Sequence, residues 1–500
     1  MRQTSIFGRA GSWRRRAGAF LFAIAVLAPQ IAVAKDHGIP ARTLTAEQFH
    51  AGVQLLWNKI LTRHPEPFRV FTKAEFQAEV SRLMHRTAPV SEARAFVAMS
   101  RLIGMMRDGH SWVSIDDNST LFSRAEPLRF WQFSDGIHIR AAAPDHADLV
   151  GATVLAINGV LVKTAWARIR DAVGGGGRIA TTRAQIYIEI PAFLRVLKLA
   201  NSDDRATFRL RLANGETVTR TIPAIQYKNY SEVWNASDLW TTPKGWVEPA
   251  HAKDALWFAR RNQAFWSRML PDGTTLYAAF NRATTDPDNP WNPKHDKYRP
   301  FLDALFKQVA RKDVTTLIID LRNNNGGNSA LWQPLVHRII RTQKLYQPGR
   351  LFVITSRLTE SAAVAWAVKI EMNAPALFVG EPTANPPNFD NDPAGWRRET
   401  YHIPGSAVNF RVADMKEQWS AATDDRWAIF PDVPVSLSWK DFANGRDPDL
   451  AAIADVTVKD ATAGYVDSGG ESLVKYPWAD YQRMSQVKAM TAARAHRGRH

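Results

Sequence analysis

Three short segments carry residue types that can do chemistry together. The first is Ser361, which follows the apolar strand pattern "LFVIT" (351–355) and opens the alanine-rich run "SAAVAWA". Serine is a favoured helix N-cap because its oxygen accepts a bond from an orphaned backbone N–H, and capping is the commoner reason for a serine here. Two details lean towards a nucleophile. Position N3 of such a helix is Val364, so no capping box supports the cap. Ala362 and Ala363 are small enough to leave the hydroxyl accessible. The Ala362 N–H, at a helix N-terminus, suits negative charge developing on a substrate oxygen.

The second segment is "TLIIDLRNNNGGNS" (316–329), a buried-strand pattern that runs straight into Asn and Gly. Such a strand end permits positive φ and exposes backbone N–H groups, which fits an anion nest or an oxyanion donor; read alone, it is a glycine turn before a helix. The third is His110 in "DGH". Serine needs a base to attack at neutral pH, and histidine titrates in the right range. A lone histidine is more often a satisfied structural residue. With 13 histidines in the chain, spacing does not choose among His110, His337 and His402.

Taken together, "DGHS", "IIDLRNNNGGNS" and a serine opening a helix after the next strand resemble the S41 family of serine peptidases, the tail-specific and C-terminal processing proteases with their tricorn-like relatives. The likeness extends to "GATVLAINGVLV" (151–162), similar to the close of a PDZ-like domain, to "VGEPTANPPNF" (379–389), and to "FPDVPV" with "GRDPDL" (430–435, 445–450). It covers most of residues 40–455. The resemblance implies an α/β fold with a Clp/crotonase-like catalytic core, an N-terminal helical unit and an inserted PDZ-like β-rich domain. It implies Ser361 as nucleophile, with backbone N–H groups of Gly326 or Gly327 and of Ala362 as the oxyanion hole. Processing proteases take their base from a lysine after the nucleophile helix, but residues 377–392 contain none, and Lys369 lies too far along the helix. The tricorn-like branch uses a histidine, which "DGH" matches, so the expected pair is Ser361–His110. Glu381 and Asp108 are both candidates for the acid that orients the imidazole. The implied reaction is hydrolysis of a protein or peptide substrate, with no metal or organic cofactor. A PDZ-like domain would recruit an extended peptide by strand addition or capture its C-terminal carboxylate. The alternative is a non-catalytic peptide- or ligand-binding protein on the same scaffold. A non-peptidic serine hydrolase fits less well, because "TESAA" is not a G-x-S-x-G elbow.

The elements that must position these residues are legible as patterns. Thr45 with Gln48 makes a capping box opening a helix through residue 61, with Leu44 and Phe49 as a hydrophobic staple; Thr72 with Glu75 opens a second, and a third runs from Ser91 to Met106. These sit in a helical unit, 40–117, that carries the DGH motif. Residues 120–224 read as the β-rich domain: short strands punctuated by glycine, a helix at 164–173, and a hairpin around Asn214-Gly215. "GGGG" (174–177) lacks the Lys-Ser/Thr of a phosphate loop and reads as a flexible connection. Residues 225–272 connect to a strand–helix alternation over 273–455, which predicts a largely parallel sheet between helices. "DPDNPWNP" (286–293) and "ANPPNFDNDP" (384–393) read as loops, and 460–500 as a solvated tail.

Bulk properties bound the rest. The first 34 residues hold five arginines, the apolar run "AGAFLFAIAVLA" and "AVA", the three regions of a secretory signal peptide cleaved near Ala34. The run is too short to span a bilayer comfortably, so no stable membrane insertion is expected after cleavage. There is no cysteine among the 500 residues, which excludes disulfides, thiol nucleophiles and cysteine metal sites. An exported chain without cysteine suits a bacterial periplasmic or secreted setting. The formal charge of +16 falls to +11 without the first 34 residues, and no basic stripe or recognition module argues for nucleic acid.

Overall fold

Strands buried on both faces read as near-continuous hydrophobic runs, and such runs build the central sheet. Its order is Phe265–Met269, Thr275–Phe280, Thr316–Asp320, Leu351–Thr355, Leu377–Gly380 and Val433–Pro434. The first strand pairs antiparallel and all later neighbours pair parallel. The structure is a computed structural model and describes residues 41–237, 240–288, 295–347, 349–392 and 399–456. The signal-peptide reading of residues 1–34, the tail 460–500 and part of the 286–293 loop lie outside the described residues. Among the described residues, no helix is long and apolar enough to cross a membrane.

The helices Tyr298–Val309, Trp332–Ile340 and Ala362–Asn373 contribute to the core on one face of the sheet, and Ile453 of the helix Pro448–Asp455 closes the core on the other. The helix Ala362–Asn373 is anchored by Trp366, fully buried against Phe280 and Tyr298 with ring centroids 5.8 and 5.6 Å away. Truncating such a side chain costs about 3–5 kcal/mol. The residue at this helix's N-terminus is therefore held by the deepest part of the core.

Both expected capping boxes form, at Thr45–Gln48 and Thr72–Glu75, and Ser91 caps the third helix, Glu92–Gly104. The hairpin forms as well, Arg205–Arg211 against Thr217–Pro223 with Leu210 opposite Val218. These helices and the antiparallel sheet share one continuous apolar core, which also takes in Ile403, Val408 and Phe410 from far downstream. The link is a strand pair: Trp112–Ile115, directly after "DGH", runs antiparallel to Val408–Arg411. Nothing in the local pattern near residue 110 announces that partner.

Two expectations need correction. The 384–393 segment is partly a strand, because Asn388–Asn391 pairs with Met415–Gln418. The glycine run is a packed loop rather than an open connection: all four glycines have positive φ, and a Cβ on Gly174 would lie 2.8 Å from the Ser100 carbonyl oxygen. That packing leads into a helix, Gly177–Tyr187, which the glycine start conceals because no capping side chain announces it. Side chains at and just beyond this helix cover one edge of the antiparallel sheet. On the edge strand Leu128–Phe133, the Gln132 N–H donates to Gln185 Oε1 at 2.9 Å and the Phe130 N–H to Glu189 Oε1 at 3.4 Å. Arg357 Nη2 donates to the Gln132 carbonyl oxygen at 2.9 Å. Of the two edges of this sheet, only Thr217–Pro223 is largely exposed.

Candidate active site

The turn between the strand Leu351–Thr355 and the helix Ala362–Asn373 is tied to the preceding strand end. Ser356 Oγ donates to the Arg322 carbonyl at 2.6 Å, Thr359 Oγ1 to the Leu321 carbonyl at 2.9 Å, and the Glu360 N–H to the Asn324 carbonyl at 3.0 Å. The turn ends at Ser361, whose φ of 55° and ψ of −123° are unusual for a residue with a side chain. Such backbone costs about 1–3 kcal/mol and persists only where its surroundings over-determine it. Asn385 Oδ1, accepting the Ser361 N–H at 2.9 Å, is one of those surroundings. Ser361 occupies the N-cap position, yet its hydroxyl caps nothing. Instead Ser361 Oγ lies 3.1 Å from His110 Nε2.

His110 is held from three sides. The Asp108 carboxylate accepts the His110 backbone N–H at 2.8 Å and also the Ser111 N–H. The imidazole stacks on the Phe389 ring, centroids 5.5 Å apart and planes 14° apart. The loop before it admits no extra atom, since a Cβ on Gly109 would meet Ile179 Cδ1 at 2.3 Å and Asn385 Nδ2 at 2.6 Å. Asn385 thus reaches the Ser361 backbone and the loop before His110 at once.

The other predicted site residues fall as follows. Gly326, with φ of 107°, presses against Ser361: a Cβ there would lie 2.8 Å from Ser361 Cβ and 3.2 Å from the Ala362 nitrogen. Its own N–H donates to Asn324 Oδ1 at 2.9 Å. The N–H groups of Gly327 and Ala362 meet no acceptor among the described residues' hydrogen bonds, and Gly326, Gly327 and Ser361 line the same cleft of about 1720 Å³. Neither candidate acid directs its described bonds to the imidazole. Glu381 accepts the Arg357 backbone N–H at 3.2 Å and its Nε–H at 3.1 Å, bracing the turn that leads to Ser361. Burial raises the Glu381 carboxyl, but Arg357 and Arg178 bring it below its ordinary value. His402 lines the same cleft but is exposed, with Nδ1 3.7 Å from Asp116; His337 lies on the helix Trp332–Ile340, and Lys369 Nζ donates to the Trp419 carbonyl at 2.7 Å. Asn385 and Phe389 were missed in the sequence; their proline-rich loop gives no local sign of a contact with residues 109 and 110.

Asp108 connects to a buried histidine that the sequence reading also missed. His64 Nδ1 accepts the Glu66 N–H at 3.1 Å, so its proton sits on Nε2, which donates to Asp108 Oδ2 at 3.2 Å. Burial raises the Asp108 carboxyl, but the bonds from His64 and Ser111 outweigh it and hold the group below its ordinary value. A carboxyl lowered in the folded state stabilises it above the unfolded value and loses that contribution as pH falls through the folded one. Asp108→Asn keeps an acceptor for the backbone N–H groups but turns a donor on the His64 Nε2–H. The expected outcome is a loss of about 1–3 kcal/mol at neutral pH, with a fall in any activity that depends on His110. Denaturation curves and turnover measured together check this; an unchanged variant would show that Asp108 does not set the loop.

No family model and no curated protein matches the chain. Solved structures do. Mature CPAF is 13% identical over 86% of this chain and 99% of its own, with a TM-score of 0.54. A serine-to-alanine mutant of CPAF is 12% identical over 86% and 99%, with a TM-score of 0.55. A photosystem II D1 C-terminal processing protease is 14% identical over 84% and 99%, with a TM-score of 0.35.

Proposed function

We propose that this chain, whose fold is that of the S41-type peptidases, is a serine peptidase with Ser361 as nucleophile and His110 as general base. The observation that supports this most is the 3.1 Å approach of His110 Nε2 to Ser361 Oγ, made by a serine whose strained backbone serves no capping bond. His110 takes the hydroxyl proton as Oγ attacks the scissile carbonyl carbon. The carbonyl oxygen gains the negative charge and is met by the N–H groups of Gly327 and Ala362, with Gly326 pressed close enough to shape the hole. Collapse of the tetrahedral intermediate expels the amine, which takes the proton from His110. Water, deprotonated by the same imidazole, then releases the acyl group.

Phe389 stacks on the ring and Asp108 holds the loop for both proton transfers. A peptide recruited by strand addition to the antiparallel sheet has the Thr217–Pro223 edge available, since the other edge is already bonded. The exported setting expected from the first 34 residues belongs to this reading.

A fluorophosphonate probe tests it directly. The purified protein is expected to be labelled at Ser361 and to cleave casein or an unstructured peptide. A folded protein that is neither labelled nor active would instead favour a binding protein on the same scaffold.

A further inference from the structure

One group beside the nucleophile has no task in this mechanism. Glu360 immediately precedes Ser361, and its backbone is fixed on both sides: its N–H donates to the Asn324 carbonyl and its own carbonyl accepts the Ala363 N–H, each at 3.0 Å. Its side chain forms part of the cleft wall with Gly109, Ile179, Arg183, Leu358 and Ser361. Among the described residues no donor bonds its carboxyl, and burial outweighs the field of Arg183, pushing it up to about 7. Arg183 acts on it only through its field, because the described bond of its guanidinium goes from Nη2 to the Gly109 carbonyl oxygen at 2.9 Å.

Glu360 is half-buried at the wall of the cleft beside Ser361, and a carboxyl there with no protein donor is a place for a donor that the substrate brings. The flanking walls, Ile179 and Leu358, are apolar and nearly inaccessible. Apolar side chains beside an acid on one cleft wall suit the aliphatic stem and charged tip of a basic side chain. Charge-assisted bonds of this kind are about twice as strong as neutral ones.

We infer that Glu360 determines specificity by receiving a lysine or arginine side chain of the substrate next to the scissile bond. This rests on the peptidase reading, and the test separates the two. A peptide library varied around the cleavage site is cleaved by the wild-type chain and by Glu360→Gln. The wild-type is expected to favour basic over isosteric neutral residues at one position, and in Glu360→Gln that ratio of kcat/KM falls by about 10- to 100-fold. Glu360→Lys is expected to move the preference towards Asp or Glu at the same position. In parallel, basic and neutral peptides are titrated into Ser361→Ala with and without Glu360→Gln, a readout that needs no turnover. Enzyme that labels with fluorophosphonate but shows no basic preference, or a Glu360→Gln variant slowed equally on all peptides, would overturn the specificity role alone. Unlabelled protein that still prefers basic peptides in the titration would overturn the peptidase reading while upholding Glu360 as a receptor for basic side chains.

Discussion

Ser361→Ala is expected to abolish peptide cleavage and fluorophosphonate labelling while leaving the melting temperature almost where it was. Loss of a nucleophile in a serine enzyme lowers kcat by about 10⁶-fold, leaving only what binding and the oxyanion donors provide. The second half of the prediction carries the structural content. Were Ser361 a working N-cap, removing its oxygen would cost about 1 kcal/mol. Its side chain caps nothing and points to His110, while the bond that positions its backbone comes from Asn385 and survives the substitution. Cleavage by the variant, or a clear drop in stability, would return Ser361 to the role of a cap. Turnover and thermal denaturation on the same preparation decide.

The second large effect is on the base. His110→Ala is expected to lower kcat by about 10⁴-fold or more, with KM changed only a few-fold, because the imidazole acts on the reacting bond rather than on the length of the substrate. Phe389 and Asp108 remain in the variant, and Asp108 grips the backbone of residue 110 rather than its ring, so the loop keeps its path. Fluorophosphonate labelling should slow in proportion, since it too requires an activated Oγ. Full activity in His110→Ala would remove the Ser–His assignment, because neither Lys369 nor His402 is placed to replace it.

Much of this was legible in the residues, and the part that was not has a common cause. Capping boxes, alternating strands and the apolar runs of the parallel sheet are written in neighbours three or four positions apart, and they form where expected. Ser361 and the Gly326–Gly327 pair were placed by the same local reasoning: each lies in the turn that follows a strand of one sheet. What escaped are contacts between residues far apart in the chain. Asn385 reaching Ser361 and Gly109, Phe389 stacking on His110, and His64 holding Asp108 depend on how separate segments fold back. The orienting acid illustrates the limit: Glu381 and Asp108 have the right chemistry, but each is spent on bracing a loop.

The pairing of Trp112–Ile115 with Val408–Arg411 has a consequence for the life of the chain. During synthesis the histidine emerges early and the serine some 250 positions later, but the strand that props the histidine's loop comes later still. A nascent or truncated polypeptide ending before residue 408 holds both reactive side chains without the scaffold that aims one at the other. The approach of His110 to Ser361 thus waits on a strand from the far end of the described chain.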